Sequence, residues 1–187
     1  MVRIEERRFY LMLAKIKINN KEFEVDFSKG DDISIPLSFN GEQPNTYGVE
    51  KATSKPYRDG QFVGDTRKGG PCNFETYSLT PHCNGTHTEC IGHITDKRVS
   101  ILESLEDELI PATLISVIPK STTEKYRPEL NLDDLVITKE ELQKSLQYSN
   151  SDFLKAIIIR TSPNSESKKR KDYMKEIPSF FSIEAME

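Results

Sequence analysis

Histidine is scarce in this chain, with three residues among 187, and all three lie between His82 and His93. Cysteine is equally scarce. Three thiols cannot all pair within one chain, and without a secretory start the expectation is reduced cysteines and no disulfide. Long apolar runs are missing too: the longest, "LISVIP" and "AIIIR", are far too short to span a bilayer, which excludes a helical membrane protein. No internal repeat is visible, and the length suits a single domain spanning 1–187. The start, "MVRIEERR", mixes acids with bases, and no small-residue cleavage site follows, so it does not read as a signal peptide and a cytoplasmic location is expected.

An excess of positive charge is also absent. The formal net charge is -4, which argues against a surface built for phosphate backbones and so against a nucleic-acid partner. The one local basic run, "SKKRK" (Ser167 to Lys171), reads as a solvated loop. What remains, 35% hydrophobic and 30% charged residues, is the composition of a soluble globular protein.

Local patterns predict alternating strands and helices. "LAKIKINNKEFEVDF" alternates apolar and polar residues on both sides of Asn19-Asn20, the pattern of a hairpin with one wet face, and residues 1–31 form an N-terminal extension on this reading. "DISIPL" (Asp32 to Leu37) predicts a short strand ended by proline. Asn40 to Pro71 is dense in turn residues and predicts a long irregular, substrate-facing segment. "NFETYSLTPH" predicts a strand that delivers the histidine window to a sheet rim. Val99, Leu102, Leu105 and Leu109 stand at helical spacing, and "ATLISVIP" follows as a buried strand. Thr138 with Glu141 forms a capping box ahead of a helix, "FLKAIIIRT" reads as a fully buried strand, and Ser182 caps a last helical turn. The fold class is therefore mixed α/β.

The window "TPHCNGTHTECIGH" concentrates imidazoles, thiols and a carboxylate, the three ligand types of a zinc-like site. In an extended strand His87 and Glu89 point the same way, about 7 Å apart at the backbone, so they can share an ion. His82 and Cys83 would lie roughly 13 Å or more from His87 in extended chain, so the backbone must turn between them. Asn84-Gly85 supplies that turn on this reading, with Gly85 and Gly92 permitting close approach. A bound metal lowers the pKa of water from 15.7 to about 7, and His93, a short turn away, can act as general base and acid. Two blander readings compete: three ordinary hydrogen-bonded histidines, and a closed structural zinc held by Cys83, His87 and Cys90 with one further ligand.

"NGTHTECIGH" resembles the His-x-Gly-Thr-His-x-Asp-x-Pro-x-His signature of the cyclase family of metal-dependent hydrolases, which includes the bacterial kynurenine formamidases, arylformamidases of tryptophan catabolism. "DISIPL", "VGD" (Val63 to Asp65), "IPATLISV" and "ITKEEL…AIIIRT" resemble further parts of that family, so the likeness covers most of the chain from Asp32 onward. The resemblance implies a swivelling β/β/α fold, usually dimeric, one or two divalent ions (zinc or manganese), and hydrolysis of a small amide such as an N-formyl group. By position, His87 and Glu89 match the family's second histidine ligand and its aspartate, and His93 matches its catalytic histidine. The first ligand stays open between Cys83, in the ungapped match, and His82, which fits if one residue is inserted. Ile91 replaces the family's proline. The family's further strand, with another histidine and glutamate, has no counterpart before Glu187, so the expectation is a C-terminally incomplete catalytic unit or a non-catalytic derivative with a partial metal site.

Overall fold

The computed structural model describes residues 11–126, 129–131 and 133–187, and the reading of the first ten residues as lacking a signal peptide lies outside them. The chain is mixed α/β, and the described strands form five two-stranded sheets.

Strands β1 (Leu13–Ile18) and β2 (Lys21–Asp26) make the predicted antiparallel hairpin, with Ile18 opposite Lys21 across the Asn19-Asn20 turn. Asn19 takes φ 53°, a left-handed conformation that asparagine tolerates. Ile16, Ile18, Phe23 and Val25 are half-buried, while Lys15 and Glu22 pair at 3.1 Å on the wet face. The hairpin docks through Phe23, edge-on to Phe153 at 4.9 Å, and through Asn19 and Lys21, which both donate to the Asp152 carboxylate.

The 40–71 segment is more ordered than its turn residues suggest. It holds β3 (Thr53–Pro56), β4 (Arg58–Asp59) and β5 (Phe62–Val63); β4 pairs with β5, and β3 pairs antiparallel with β6 (Glu75–Ser78), the strand predicted before the histidine window. Rings of Tyr57, Phe62 and Phe74 pack within 6.4 Å of one another and hold these short strands together. In contrast, "DISIPL" forms no strand. Its donors are taken by side chains instead: Asp32 accepts from the Ser34 N–H, and Thr86 Oγ1 accepts from the Ile35 N–H, leaving no ladder to build.

Asp65 sits just after β5, and its side chain is only 1% exposed. It accepts from the Arg67 backbone N–H and from Arg67 Nε and Nη2, with Lys68 Nζ 3.5 Å away. The Arg67 hydrogen bonds outweigh the cost of burial and hold the carboxyl at about 2, below its usual 3.8. A carboxyl lowered in the folded state contributes stability above pH 3.8 that is lost as pH falls toward 2. Urea midpoints of the wild-type chain and Asp65→Asn should therefore differ most above pH 4 and converge near pH 2; a gap independent of pH would contradict this.

The core lies under a parallel pair, β7 (Ala112–Val117) and β9 (Ala156–Thr161), joined in register from Ala112 opposite Ala156 to Val117 opposite Thr161. Between them in sequence come β8 (Val136–Ile137) and α3 (Lys139–Leu146), capped as expected by Thr138 Oγ1, which accepts from the Glu141 N–H. Ile115, Val117 and Ile137 are buried, with Leu142, Leu146, Ile159 and Phe181 packed against them. Neither predicted buried strand is buried on both faces: Leu114 and Ile158, opposite each other in register, are 58% and 38% exposed. α3 packs on the other face of β7, where Ile115 and Val117 are buried, whereas in β9 the successive Ile157 and Ile158 are both exposed.

β10 (Phe180–Phe181) pairs parallel to β8, and Ser182 then caps α4 (Ile183–Met186) by accepting from the Ala185 N–H. The helix expected over 99–109 shrinks to the single turn α2 (Ile101–Ser104), closed by a Ser100–Glu103 capping box. Leu102, Leu105 and Leu109 are all more than half exposed, so no packing rewards a longer helix. Among the described residues no helix is long and apolar enough to cross a membrane.

Candidate metal centre

The histidine window follows β6, but the reversal within it differs from the expected Asn84-Gly85 turn. The chain makes one helical turn, α1 (Pro81–Asn84), with Pro81 at its start. Proline suits that position because its missing N–H has no intrahelical partner there. Asn84 is fully buried; its Oδ1 accepts from the Thr80 N–H and its Nδ2 donates to the Glu50 carbonyl, so it staples the turn to the preceding loop. Gly85 is fully extended, at φ -174° and ψ -176°, and a Cβ there would meet only Leu37 at 3.9 Å. It is Gly92 that needs to be glycine: a Cβ would lie 2.7 Å from the Val99 carbonyl oxygen. That close approach seats the 3-10 turn Ile91–His93, and the Cys90 thiol donates to the same carbonyl.

α1 carries His82 back to the segment that bears His87 and Glu89, and the Ile91–His93 turn returns His93 to the same place. Glu89 Oε1 lies 2.8 Å from His82 Nε2, 3.0 Å from His93 Nδ1 and 4.0 Å from His87 Nε2. The His82 ring stacks on His93 at 4.6 Å between centroids and tilts against His87 at 4.7 Å. His87 Nδ1 is 3.0 Å from the Gly85 carbonyl oxygen. With the proton on Nδ1 in that contact, Nε2 presents its lone pair toward Glu89, the arrangement that orients a ligating imidazole.

Ligand atoms of His82, Glu89 and His93 lie within 4.8 Å of one another, and among the described residues no other group of three or more His, Cys, Asp or Glu side chains converges as closely. Bonds of about 2.0 Å to a tetrahedral ion place neighbouring ligand atoms roughly 3.3 Å apart. The two shortest separations, 2.8 Å to His82 and 3.0 Å to His93, are close to that edge, so a divalent cation fits the His82, Glu89 and His93 set with small side-chain adjustments, while His87, at 4.0 Å, must close in to join it. A nitrogen-and-carboxylate set of this kind suits a divalent metal ion. All four side chains remain between 27% and 49% exposed, which leaves an ion an open path.

The structure thus brings His82, not Cys83, to Glu89. Cys83, half-buried, lines a neighbouring cavity of about 340 Å³ whose walls also include Ile35, Pro44, His82, His87 and Tyr173. The closed Cys83/His87/Cys90 arrangement is not assembled, since Cys90 is engaged at Val99. Tyr173 escaped the sequence reading altogether. It reaches the window through a parallel bridge between Asn45 and Asp172, in which the Asn45 N–H donates to the Lys171 carbonyl and the Tyr173 N–H to the Asn45 carbonyl, a pairing 127 residues apart with no local signal.

A family model described as Putative cyclase matches residues 31–187. No curated protein and no solved structure matches the chain. The chain belongs to the cyclase family, and the β1–β2 hairpin precedes the matched stretch.

Proposed function

We propose that this cyclase-family chain is a metal-dependent hydrolase of a small amide, cleaving a C–N bond of the formamide type. The observation that carries the reading is the convergence of a ring nitrogen from each of the three histidines on one oxygen, Glu89 Oε1. Of the converging side chains, His82 and Glu89 hold the ion; the family signature gives the third ligand to His87, 4.0 Å from Glu89, and leaves the nearer His93 for proton transfer. A divalent ion in such a site supplies a hydroxide-like nucleophile near neutral pH and polarises a carbonyl.

His93 moves the proton. Its Nδ1 is fixed against Glu89 at 3.0 Å, which sets the tautomer and leaves Nε2 as the free base. From there it takes a proton from the attacking water and returns it to the leaving nitrogen, the acid–base cycle that amide hydrolysis requires. Stacking on His82 keeps the ring in place through that cycle.

The two roles separate experimentally. His87→Ala should weaken zinc or manganese binding by about ten- to a hundredfold or more. His93→Ala should keep metal affinity within a few-fold and lower formamide turnover by about 10²–10⁴. Titration calorimetry alongside a formamide hydrolysis assay reads both. The reverse pattern would exchange the two histidines, and a chain that binds metal but turns over no formamide or ester would be a non-catalytic derivative.

A further inference from the structure

A cavity of about 370 Å³ lies beyond the carboxyl ends of the parallel strands β7 and β9, where Ile118 and Thr161 line it, and none of the three histidines or Glu89 does. Open parallel sheets take ligands in this position, and the volume suits a small organic molecule. The basic run "SKKRK" supplies the cavity's charge. Lys168 and Lys171 stand three residues apart at the end of the 3-10 turn Glu166–Arg170, a spacing that brings side chains to the same side, and both line the cavity. Among the described residues no Asp or Glu lines it. Lys171 is neutralised by Glu176, 2.9 Å away, but Lys168 Nζ donates to a neutral group, the Asn164 amide oxygen, at 2.7 Å. Glu166, the acid nearest to Lys168 in sequence, is paired with Lys169 instead. The hydroxyls of Ser165 and Ser167, 2.9 Å apart, add donors from the same stretch of chain.

The rest of the lining is apolar. Ile118, Leu135 and Ile177 are each at least half exposed, and all three line this one cavity. An apolar group entering it removes their surface from water. A cation would meet Lys168 and be repelled, and a bare inorganic anion would leave the aliphatic side chains wet. An anion with a hydrocarbon body satisfies both parts of the lining. We propose that this cavity is a ligand site separate from the metal centre, and that it takes a small monocarboxylate with an apolar body. The carboxylate sits at Lys168 and the hydrocarbon against Ile118, Leu135 and Ile177.

Titration calorimetry of the full chain tests this with octanoate, its neutral analogue octanamide and the shorter butyrate. Octanoate should bind at least about tenfold more tightly than octanamide, the margin of a charge-assisted hydrogen bond. Lys168→Gln should lower octanoate affinity about tenfold, leave octanamide within about twofold and leave the melting temperature unchanged. Butyrate keeps the carboxylate but lacks four methylenes, so it should bind at least about tenfold more weakly than octanoate, and Ile177→Ser should narrow that gap. Removing divalent metal with a chelator should leave octanoate binding as it was. Because no readout uses turnover, failure here is distinct from failure of the hydrolase reading. Equal affinity for octanoate and octanamide, binding indifferent to Lys168→Gln, butyrate binding as tightly as octanoate, loss of binding on chelation, or no octanoate binding at millimolar concentration would each overturn the proposal.

Discussion

Glu89→Gln is expected to lower zinc or manganese affinity by about a hundredfold or more and to remove turnover, while leaving the metal-free chain folded. Glutamine keeps the length and one acceptor oxygen but removes the charge, and Glu89 Oε1 is the one atom that faces all three histidines. Because the carboxylate is 42% exposed, its pairing with the imidazoles contributes little to folding by itself, and the metal-free variant should stay within about 0.5 kcal/mol of the parent. Thermal shift makes the contrast visible without an assay for turnover. Metal at a hundred times its Kd stabilises a folded binder by about 2.7 kcal/mol, and the variant should show almost none of that gain at the same concentration. A variant that melts and binds metal like the parent would mean that the histidines take the ion without Glu89.

How far such a site was readable in advance depends on how far apart its parts lie. His82, His87, Glu89 and His93 sit within twelve residues, so residue type and spacing alone bring them under suspicion. The choice between His82 and Cys83 was open because the two neighbours differ by about 100° on a helical turn, and nothing in "TPHCNG" announces that a helical turn forms there until Asn84 is seen buried and bonded to Thr80 and Glu50. Tyr173 lay beyond reach, since only the Asn45 bridge brings it near. The same contrast runs through the fold. The β1–β2 hairpin, β7, α3 and β9 follow from local alternation, a cap and β-branched runs. The 99–109 helix failed because Leu102, Leu105 and Leu109 find no surface to bury against, and helical spacing is only an offer that tertiary packing must accept. The strand expected at "DISIPL" is absent for a related reason: the Asp32 and Thr86 side chains take the Ser34 and Ile35 backbone donors that a ladder would use.

Ile115→Ala is expected to have the largest effect on stability, about 2–5 kcal/mol. Ile115 is 5% exposed at the centre of β7, between Val117 and Ile137, with α3 above it. Among the described residues only Ala52, Val63, Ile115, Val117, Val136 and Ile137 are buried hydrophobics, so the core is small and few neighbours can shift to fill a vacated volume. Against a total folding stability of about 5–15 kcal/mol for a typical domain, the loss takes a large share of what the chain has. For a domain of this size each kcal/mol corresponds to about 2–4 °C, so a drop of about 3 kcal/mol lowers the melting temperature by about 6–12 °C. Leu114→Ala is the internal control: it is the next residue back on the same strand but points to the exposed face, and its cost should stay below about 1 kcal/mol. Denaturant melts of the two variants thus test the one-sided burial of the β7–β9 pair. Equal, large losses would mean that something covers the Leu114–Ile158 face as well. Because β7 and the histidine window share no strand pairing, Ile115→Ala should still bind metal with parental affinity at temperatures where it remains folded, which separates damage to the core from damage to the site.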